Sequence, residues 1–316
     1  MNMNGIQNAG LVPTAQPTDD QITALFLGSF RDRSPYTLRN YKLGIERFRR
    51  FLAPKRLHDA SWMDVEQFKA SLLSGNEPAH GRLSPATATV QLVAVRSLYR
   101  WASDPNIGLL PHNPTTPVRM PKVHLNVQGR YLTKKELALF MNELREQGER
   151  NYLLGLMLVL TGLRVSELLG LRWGDFQEDV MGKNVWLTVR KGKGGKSRTV
   201  KIPPFLWKLL LRYRKQALAD KRGAHTRVFE LSVRQVDRIF EKTRNRCGMD
   251  KQATPHWFRH TNATLALLCG ATLQQVQETL GHTAITTTQR YLHTVEQMKK
   301  AAPDYVMDGL KDLLPD

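Results

Sequence analysis

Cysteine is scarce in this chain of 316 residues, which contains only Cys247 and Cys269. The two form no metal-ligand spacing, and they provide no framework of several disulfides. We therefore expect free thiols in a reducing compartment, and we expect neither a metal nor another cofactor.

Long apolar runs are also missing. The most apolar stretch, 153–163, falls far short of the roughly 20 residues that a membrane-spanning helix needs, and it fits a buried helix instead. The first ten residues lack a basic segment followed by an apolar run, so we expect no secretory signal. The sequence thus predicts a cytoplasmic protein that does not contact a membrane.

Acidic residues are few compared with basic ones. The chain has 28 Asp and Glu against 47 Lys and Arg, a formal net charge of +19. Such an excess favours a polyanionic partner, because neutralising phosphates releases counterions and drives association. We therefore predict a nucleic-acid partner for this chain.

Two Ser-Pro steps mark helix starts in the first third of the chain. Residues 1–20 lack basic residues and periodicity, and they are predicted to be a disordered lead-in. Ser34-Pro35 and Ser84-Pro85 each place a capping serine before a proline at the first helical position. Apolar residues at helical spacing then predict the buried faces of three helices: Leu38, Tyr41, Ile45, Phe48 and Leu52; Trp62, Val65 and Phe68; Val90, Val93, Leu98 and Trp101.

These patterns predict a small helical domain over 21–108 with a basic face that can contact phosphate. Its candidate DNA-binding residues are Arg39, Lys42, Arg49, Arg96 and Arg100. Four prolines then predict an extended linker over 109–125. The rest, 126–316, is predicted to be mainly α-helical with a small antiparallel β-hairpin, because 185–190 and 197–203 alternate around a glycine-rich turn.

The stretch 253–293 carries a candidate reaction centre, with His256, Arg259, His282 and Tyr291 in one block. A phosphodiester can be cleaved without metal by a nucleophile, cations that neutralise the phosphate, and an acid for the leaving oxygen. Tyr291 is our candidate nucleophile. A lone tyrosine is usually a core residue, and H-x-x-R by itself favours a structural histidine, so the hypothesis depends on the whole set.

Two further candidates lie earlier in the chain. Arg164 follows the glycine that ends a predicted buried helix, and Glu167 is placed to hold its guanidinium or to cap the next helix. A surface arginine in a helix corner is an equally good interpretation of this motif alone. Lys193 in the hairpin turn is the candidate general acid. The neighbouring Lys191 and Lys196 compete for that role, and together with Arg198 they are candidate DNA-binding residues.

With these motifs in this order, the chain resembles the tyrosine recombinase (phage integrase) superfamily, and particularly its Xer-like branch. The matching stretches are TGLRVSELLGL, GKGGKSRTVKIP, HWFRHTNATLALLCGATLQQVQETLGH and TTTQRYLH, and SPYTLRNYKLGIERFRRFL and LSPATATVQLVAVRSLYRWA resemble the SAM-like core-binding domain. The resemblance covers about 21–295. It implies that Arg164 and Arg259 bind the scissile phosphate, that Lys193 is the general acid, and that Tyr291 forms a 3′-phosphotyrosyl bond.

The resemblance also implies roles for the histidines and for the tail. His256 would assist removal of the tyrosine proton, and His282 would bond to the phosphate. The apolar stripe of the tail, formed by Val306, Leu310, Leu313 and Leu314, would dock as an exchange helix on a neighbouring subunit. We accordingly expect a tetramer on two specific double-stranded DNA sites in the nucleoid of a prokaryotic cell, acting alone or with a partner recombinase or accessory protein.

The expected activity is site-specific DNA recombination without metal or ATP, for integration, excision or resolution, and a mobile element is our favoured setting. A type IB topoisomerase, which uses a similar tyrosine, arginine and histidine set, is one alternative. A non-catalytic DNA-binding protein of the same fold is another.

Overall fold

The computed structural model describes residues 16–30, 34–75, 81–122, 130–190, 197–217 and 223–311. The chain divides into two compact units, Met1–Leu125 and Asn126–Asp316. Within the described residues we number the α-helices and β-strands in chain order. The first unit contains α1 (Asp19–Gly28), α2 (Pro35–Leu52), α3 (Trp62–Ser74) and α4 (Pro85–Ala102).

The first unit is a helical bundle, as predicted, with an aromatic core. Ser34 and Ser84 accept hydrogen bonds from the third residue of α2 and α4, so both predicted caps are confirmed. Phe48 lies at the centre, with its ring 5.1 Å from Phe68 and 6.1 Å from Tyr99. Trp62 at the start of α3 is exposed, which contradicts its place on a predicted buried face. The prediction for α4 was also partly wrong, because Val90 and Val93 are exposed. The apolar residues of α4 cover most of the helix, and packing against α1, α2 and α3 selects the face that is buried.

The two boundaries of this unit differ from the predicted ones. α1 begins at Asp19 rather than after residue 20, because Thr18 and Gln21 form a reciprocal capping box. The described part of the predicted linker, 109–122, is not an extended connection. Leu110 and Val118 are buried in the bundle core, and this part of the segment belongs to the helical unit.

The second unit places helices around a small sheet. Its elements are α5 (Lys134–Glu146), α6 (Glu149–Thr161), α7 (Val165–Gly170), β1 (Phe176–Glu178), β2 (Val185–Val189), β3 (Arg198–Ile202), α8 (Pro204–Ala217), α9 (Val233–Arg246), α10 (Pro255–Leu268), α11 (Leu273–Leu280), α12 (Ile285–Lys299) and α13 (Ala302–Gly309). The predicted buried helix corresponds to α6, which ends at Gly162. The mainly α-helical prediction is confirmed.

The predicted hairpin strands are β2 and β3, which pair antiparallel with Val189 opposite Arg198. Their turn, with Lys191, Lys193 and Lys196, lies outside the described residues. Sequence patterns missed β1, which extends the sheet to the order β1-β2-β3. Three residues are too few to show an alternating pattern.

Helix α13 lies at the surface and buries none of its residues. Val306 and Leu310 of the predicted apolar stripe are 60% and 41% exposed, whereas Leu313 and Leu314 lie outside the described residues. Among the helices that the structure describes, none has the length and apolarity to cross a bilayer.

Candidate active site

The turn between α6 and α7 positions Arg164. Gly162 ends α6 in the left-handed conformation, with φ 61°, and Arg164 is the residue that caps α7. Glu167 has both roles predicted for it, because its carboxylate accepts from the Arg164 backbone N–H at 2.9 Å and from the Arg164 guanidinium at 2.8 Å. The same carboxylate therefore fixes both the helix start and the side chain.

Glu167 also binds a second arginine, from strand β3. Arg198 donates to both carboxylate oxygens, at 3.0 and 2.8 Å. Burial alone would raise the pKa of Glu167, but the hydrogen bonds from Arg198 and Arg164 and the charge of Arg198 outweigh it and hold the pKa at about 2. The prediction that Arg198 binds DNA is thus not supported, since all three of its guanidinium nitrogens donate to protein acceptors.

Arg259 connects two turns from inside the protein. Its guanidinium donates to the Gly162 carbonyl at 2.6 Å and to the Leu280 carbonyl at 2.7 Å. Phe258, the preceding residue, anchors α10 by packing between Phe140 and Phe240. Burial and the Arg164 charge lower the pKa of Arg259 to about 10, so the guanidinium stays protonated at neutral pH. Both predicted arginines therefore lie beside the same turn.

His282 lies just after α11 and faces α12. Its Nδ1 lies 2.9 Å from the hydroxyl of Thr288. Its ring is parallel to that of Tyr291, with 6.5 Å between the ring centres. Burial and the nearby charges of Arg259 and Arg164 lower the pKa of His282 to about 4, so the ring is neutral at physiological pH.

Tyr291 is buried, with 5% of its surface exposed. Its hydroxyl lies 2.7 Å from Nδ1 of His260, a residue that we did not single out from the sequence. Burial raises the pKa of Tyr291, while Arg259 and Arg290 act in the opposite direction. Burial, followed by the charges of nearby histidines and arginines, lowers the pKa of His260 to about 3. The buried pair is therefore a neutral phenol bonded to a neutral imidazole.

His256, the histidine that we expected beside the nucleophile, is exposed one helical turn before His260. The two rings lie 4.3 Å apart. Desolvation and the charge of Arg259 lower the pKa of His256. The spacing did contain a signal for His260, because residues four apart share a helix face. It could not say which of the two histidines reaches Tyr291.

The predicted DNA-binding residues of the helical unit fall into two groups. Arg39, Lys42 and Arg100 are exposed. Arg49 instead forms an ion pair with Asp20 at 2.8 Å. Arg96 does not face solvent freely, because its guanidinium donates to the backbone carbonyls of Thr115 and Val118. These bonds hold the proline-rich segment against α4, so the prediction of DNA contact is not supported for Arg96.

Comparisons with known proteins agree with this architecture. The model of the phage integrase family matches residues 130–298, and that of the phage integrase N-terminal SAM-like domain matches residues 25–105. A tyrosine recombinase of Thermosipho africanus is 28% identical over 282 residues, covering 87% of this chain and 94% of that protein. Tyrosine recombinase XerC of Oceanobacillus iheyensis is 31% identical over 288 residues, covering 86% and 90%.

Among solved structures, XerH site-specific recombinase bound to palindromic difH substrate superimposes with a TM-score of 0.69 at 22% identity. The match covers 90% of this chain and 83% of that one, and at this identity it shows the fold alone. The family match includes more than half of the chain, and it contains every residue of the candidate site. The chain therefore belongs to the phage integrase family of tyrosine recombinases.

Proposed function

We propose that this protein is a site-specific DNA recombinase in which Tyr291 cuts and rejoins duplex DNA through a 3′-phosphotyrosyl intermediate. The main support for this assignment is that polar and cationic side chains surround Tyr291. Its phenol lies among Arg259, His260 and His282, which come from α10 and the end of α11, and Arg259 bonds to the turn that carries Arg164. A tyrosine buried for packing alone does not need such polar and cationic neighbours.

The reaction assigns one task to each group. Once Tyr291 has left His260, its hydroxyl passes its proton to His256, and the oxygen attacks the scissile phosphorus. The bond from phosphorus to the 5′ oxygen breaks, and Lys193 supplies a proton to that oxygen. Arg164 and Arg259 neutralise the charge that develops on the other phosphate oxygens. A 5′ hydroxyl from a second duplex reverses these steps, so the bond energy is conserved and no ATP is consumed.

His282 is suited to bind the phosphate as a neutral donor. When the Thr288 hydroxyl donates to Nδ1 at 2.9 Å, the neutral imidazole carries its proton on Nε2. That second nitrogen then donates to a phosphate oxygen. With a pKa of about 4, the ring keeps this arrangement across the physiological range.

Tyr291 must move before it can attack. Its hydroxyl is bonded to His260, and only 5% of the residue is exposed. A phosphate group cannot reach a buried phenol in line with its leaving oxygen. We therefore infer that binding of the DNA site releases Tyr291 from His260.

Assembly is the second part of the proposal. Four subunits would act on two specific DNA sites in a prokaryotic nucleoid, with Arg39, Lys42 and Arg100 among the backbone contacts. The exposed apolar residues of α13 and the residue directly after it support an exchange role for the tail: Tyr305, Val306, Met307 and Leu310. A surface of this kind is covered when a neighbouring subunit binds it.

A covalent capture experiment tests the function and selects the recognition sequence at the same time. The protein is mixed with nicked duplexes that have randomised arms, and DNA that stays attached after denaturation is sequenced. We expect an adduct that forms in EDTA and is lost in Tyr291→Phe, with Tyr152→Phe as the matched control. Arg164→Ala or Arg259→Ala should slow cleavage of the captured sequence by about a hundredfold.

The same experiment separates the alternatives. An adduct that persists in Tyr291→Phe would place the nucleophile elsewhere. A wild-type protein that binds the duplexes but never attaches to them would be a non-catalytic DNA-binding protein. Relaxation of supercoiled plasmids without joining of two captured sites would indicate a topoisomerase.

A further inference from the structure

We propose that Arg198 is a positioning residue for DNA cleavage, which fixes Arg164 and His282 together although it does not bind the substrate itself. The inference rests on the proposed function, because it requires that Arg164 and His282 act on the scissile phosphate. Arg198 begins strand β3, directly after the hairpin turn. From this position its guanidinium contacts two separate parts of the site.

The first contact sets the position of Arg164 through Glu167. The Arg164 guanidinium bonds to one carboxylate oxygen of Glu167, at 2.8 Å, and the side chain is 35% exposed. Glu167 is 5% exposed and accepts two bonds from Arg198. Removing Arg198 would leave this buried carboxylate to draw the Arg164 guanidinium inward, because a buried charge needs a partner. By binding the Glu167 carboxylate, Arg198 therefore keeps the Arg164 guanidinium at the surface, where it can bind a phosphate.

The second contact sets the turn that precedes His282. Nε of Arg198 donates to the Thr279 carbonyl at 2.9 Å, in the last turn of α11. Gly281, with φ 65°, lies so close that a Cβ on it would be 2.8 Å from Cδ of Arg198. The turn from α11 to His282 thus rests directly on the Arg198 side chain. A shift of this side chain would move the His282 ring.

The same contacts argue against a role for Arg198 in gripping DNA. Each of its three guanidinium nitrogens already donates to a protein acceptor, whereas only two of those of Arg259 do so among the described residues. Arg164, by contrast, donates with a single guanidinium nitrogen to Glu167 and is three times as exposed, at 35% against 11%. A lysine could not replace Arg198, since a single ammonium nitrogen cannot make the three bonds that the guanidinium makes from three separate nitrogens.

Single-turnover cleavage of the captured nicked duplex tests the proposal. The variants are Arg198→Lys and Arg198→Gln, and Arg212→Gln is the matched control, because Arg212 is exposed and pairs with Glu149. We expect the cleavage rate constant at saturating DNA to fall by about tenfold to a hundredfold in both Arg198 variants, as for a displaced reacting group. The DNA concentration at half-saturation should stay at the wild-type value, and Arg212→Gln should match the wild type.

Three results would overturn this role. An unchanged rate constant with weaker DNA binding would make Arg198 a DNA contact. A wild-type rate constant with a reduced amplitude would mean that part of the protein is merely unfolded. Full activity in Arg198→Lys would show that charge alone suffices. Failure of the proposed function looks different, because the wild-type protein itself would then form no adduct.

Discussion

Replacing Gly162 with alanine should destabilise the catalytic unit and disturb its arginines at the same time. Gly162 has φ 61°, a conformation that costs an L-residue about 1–2 kcal/mol. A Cβ at this position would also lie 2.5 Å from Cδ2 of Leu280 and 2.7 Å from Oδ1 of Asn262. Overpacking of this kind costs a further 1–3 kcal/mol or so. We expect a total loss of about 2–5 kcal/mol.

Gly182 supplies the matched control. It has nearly the same backbone conformation, with φ 63°, but a Cβ there would meet no atom within 4 Å. Gly182→Ala should therefore lose only the conformational part, about 1–2 kcal/mol. Urea unfolding of the full chain, followed by circular dichroism, measures both variants. The difference between them isolates the contacts with Leu280 and Asn262.

Cleavage gives a second measurement for the same variant. The Gly162 carbonyl accepts from Arg259 at 2.6 Å, so a displaced turn should also displace this guanidinium. We expect Gly162→Ala to cleave the captured duplex at least about tenfold more slowly than Gly182→Ala. Equal losses of stability and rate in both variants would refute the argument that this turn is closely packed against the site.

Two further predictions concern stability. The free energy of unfolding should decrease as the pH is lowered from 6.5 to 4.5. The reason is that His282 and His260, with pKa values of about 4 and 3, stay neutral in the folded protein but take up protons in the unfolded chain. Urea unfolding across this range should show a weaker dependence in His260→Gln, and an unchanged slope would contradict the assignment. Arg96→Ala should lower the free energy of unfolding by about 1–3 kcal/mol through loss of its bonds to Thr115 and Val118. Thermal unfolding should show almost no effect for the exposed Arg100→Ala, and equal effects would count against a structural role for Arg96.

The starts and ends of helices were predictable because they depend on neighbours in the sequence. Ser34 and Ser84 each cap a helix through a residue three positions later, and Gly162 ends α6 where the apolar run stops. The choice of buried face was less predictable. Helix α4 is apolar on several sides, so only its packing against α1, α2 and α3 decided that Val90 and Val93 face outward.

The order of motifs also indicated the family and the chemistry. Arg164, Arg259, His282 and Tyr291 were selected from the sequence, and the structure brings Arg259, His282 and Tyr291 together beside the turn that carries Arg164. This was possible because the type and spacing of such residues are properties of the chain itself. The assignments to catalytic tasks remain proposals.

Only the tertiary structure decided what each charged or polar side chain contacts. Arg198 and Arg96 count as positive charge in the sequence, but one bonds to Glu167, 31 residues away, and the other to backbone carbonyls of a distant segment. His256 and His260 share a helix face, yet only His260 reaches the Tyr291 hydroxyl. The sequence by itself determined where helices begin and which reactive groups are present. Hydrogen bonds between residues far apart in the chain exist only after folding, so the partners of those groups could be found only there.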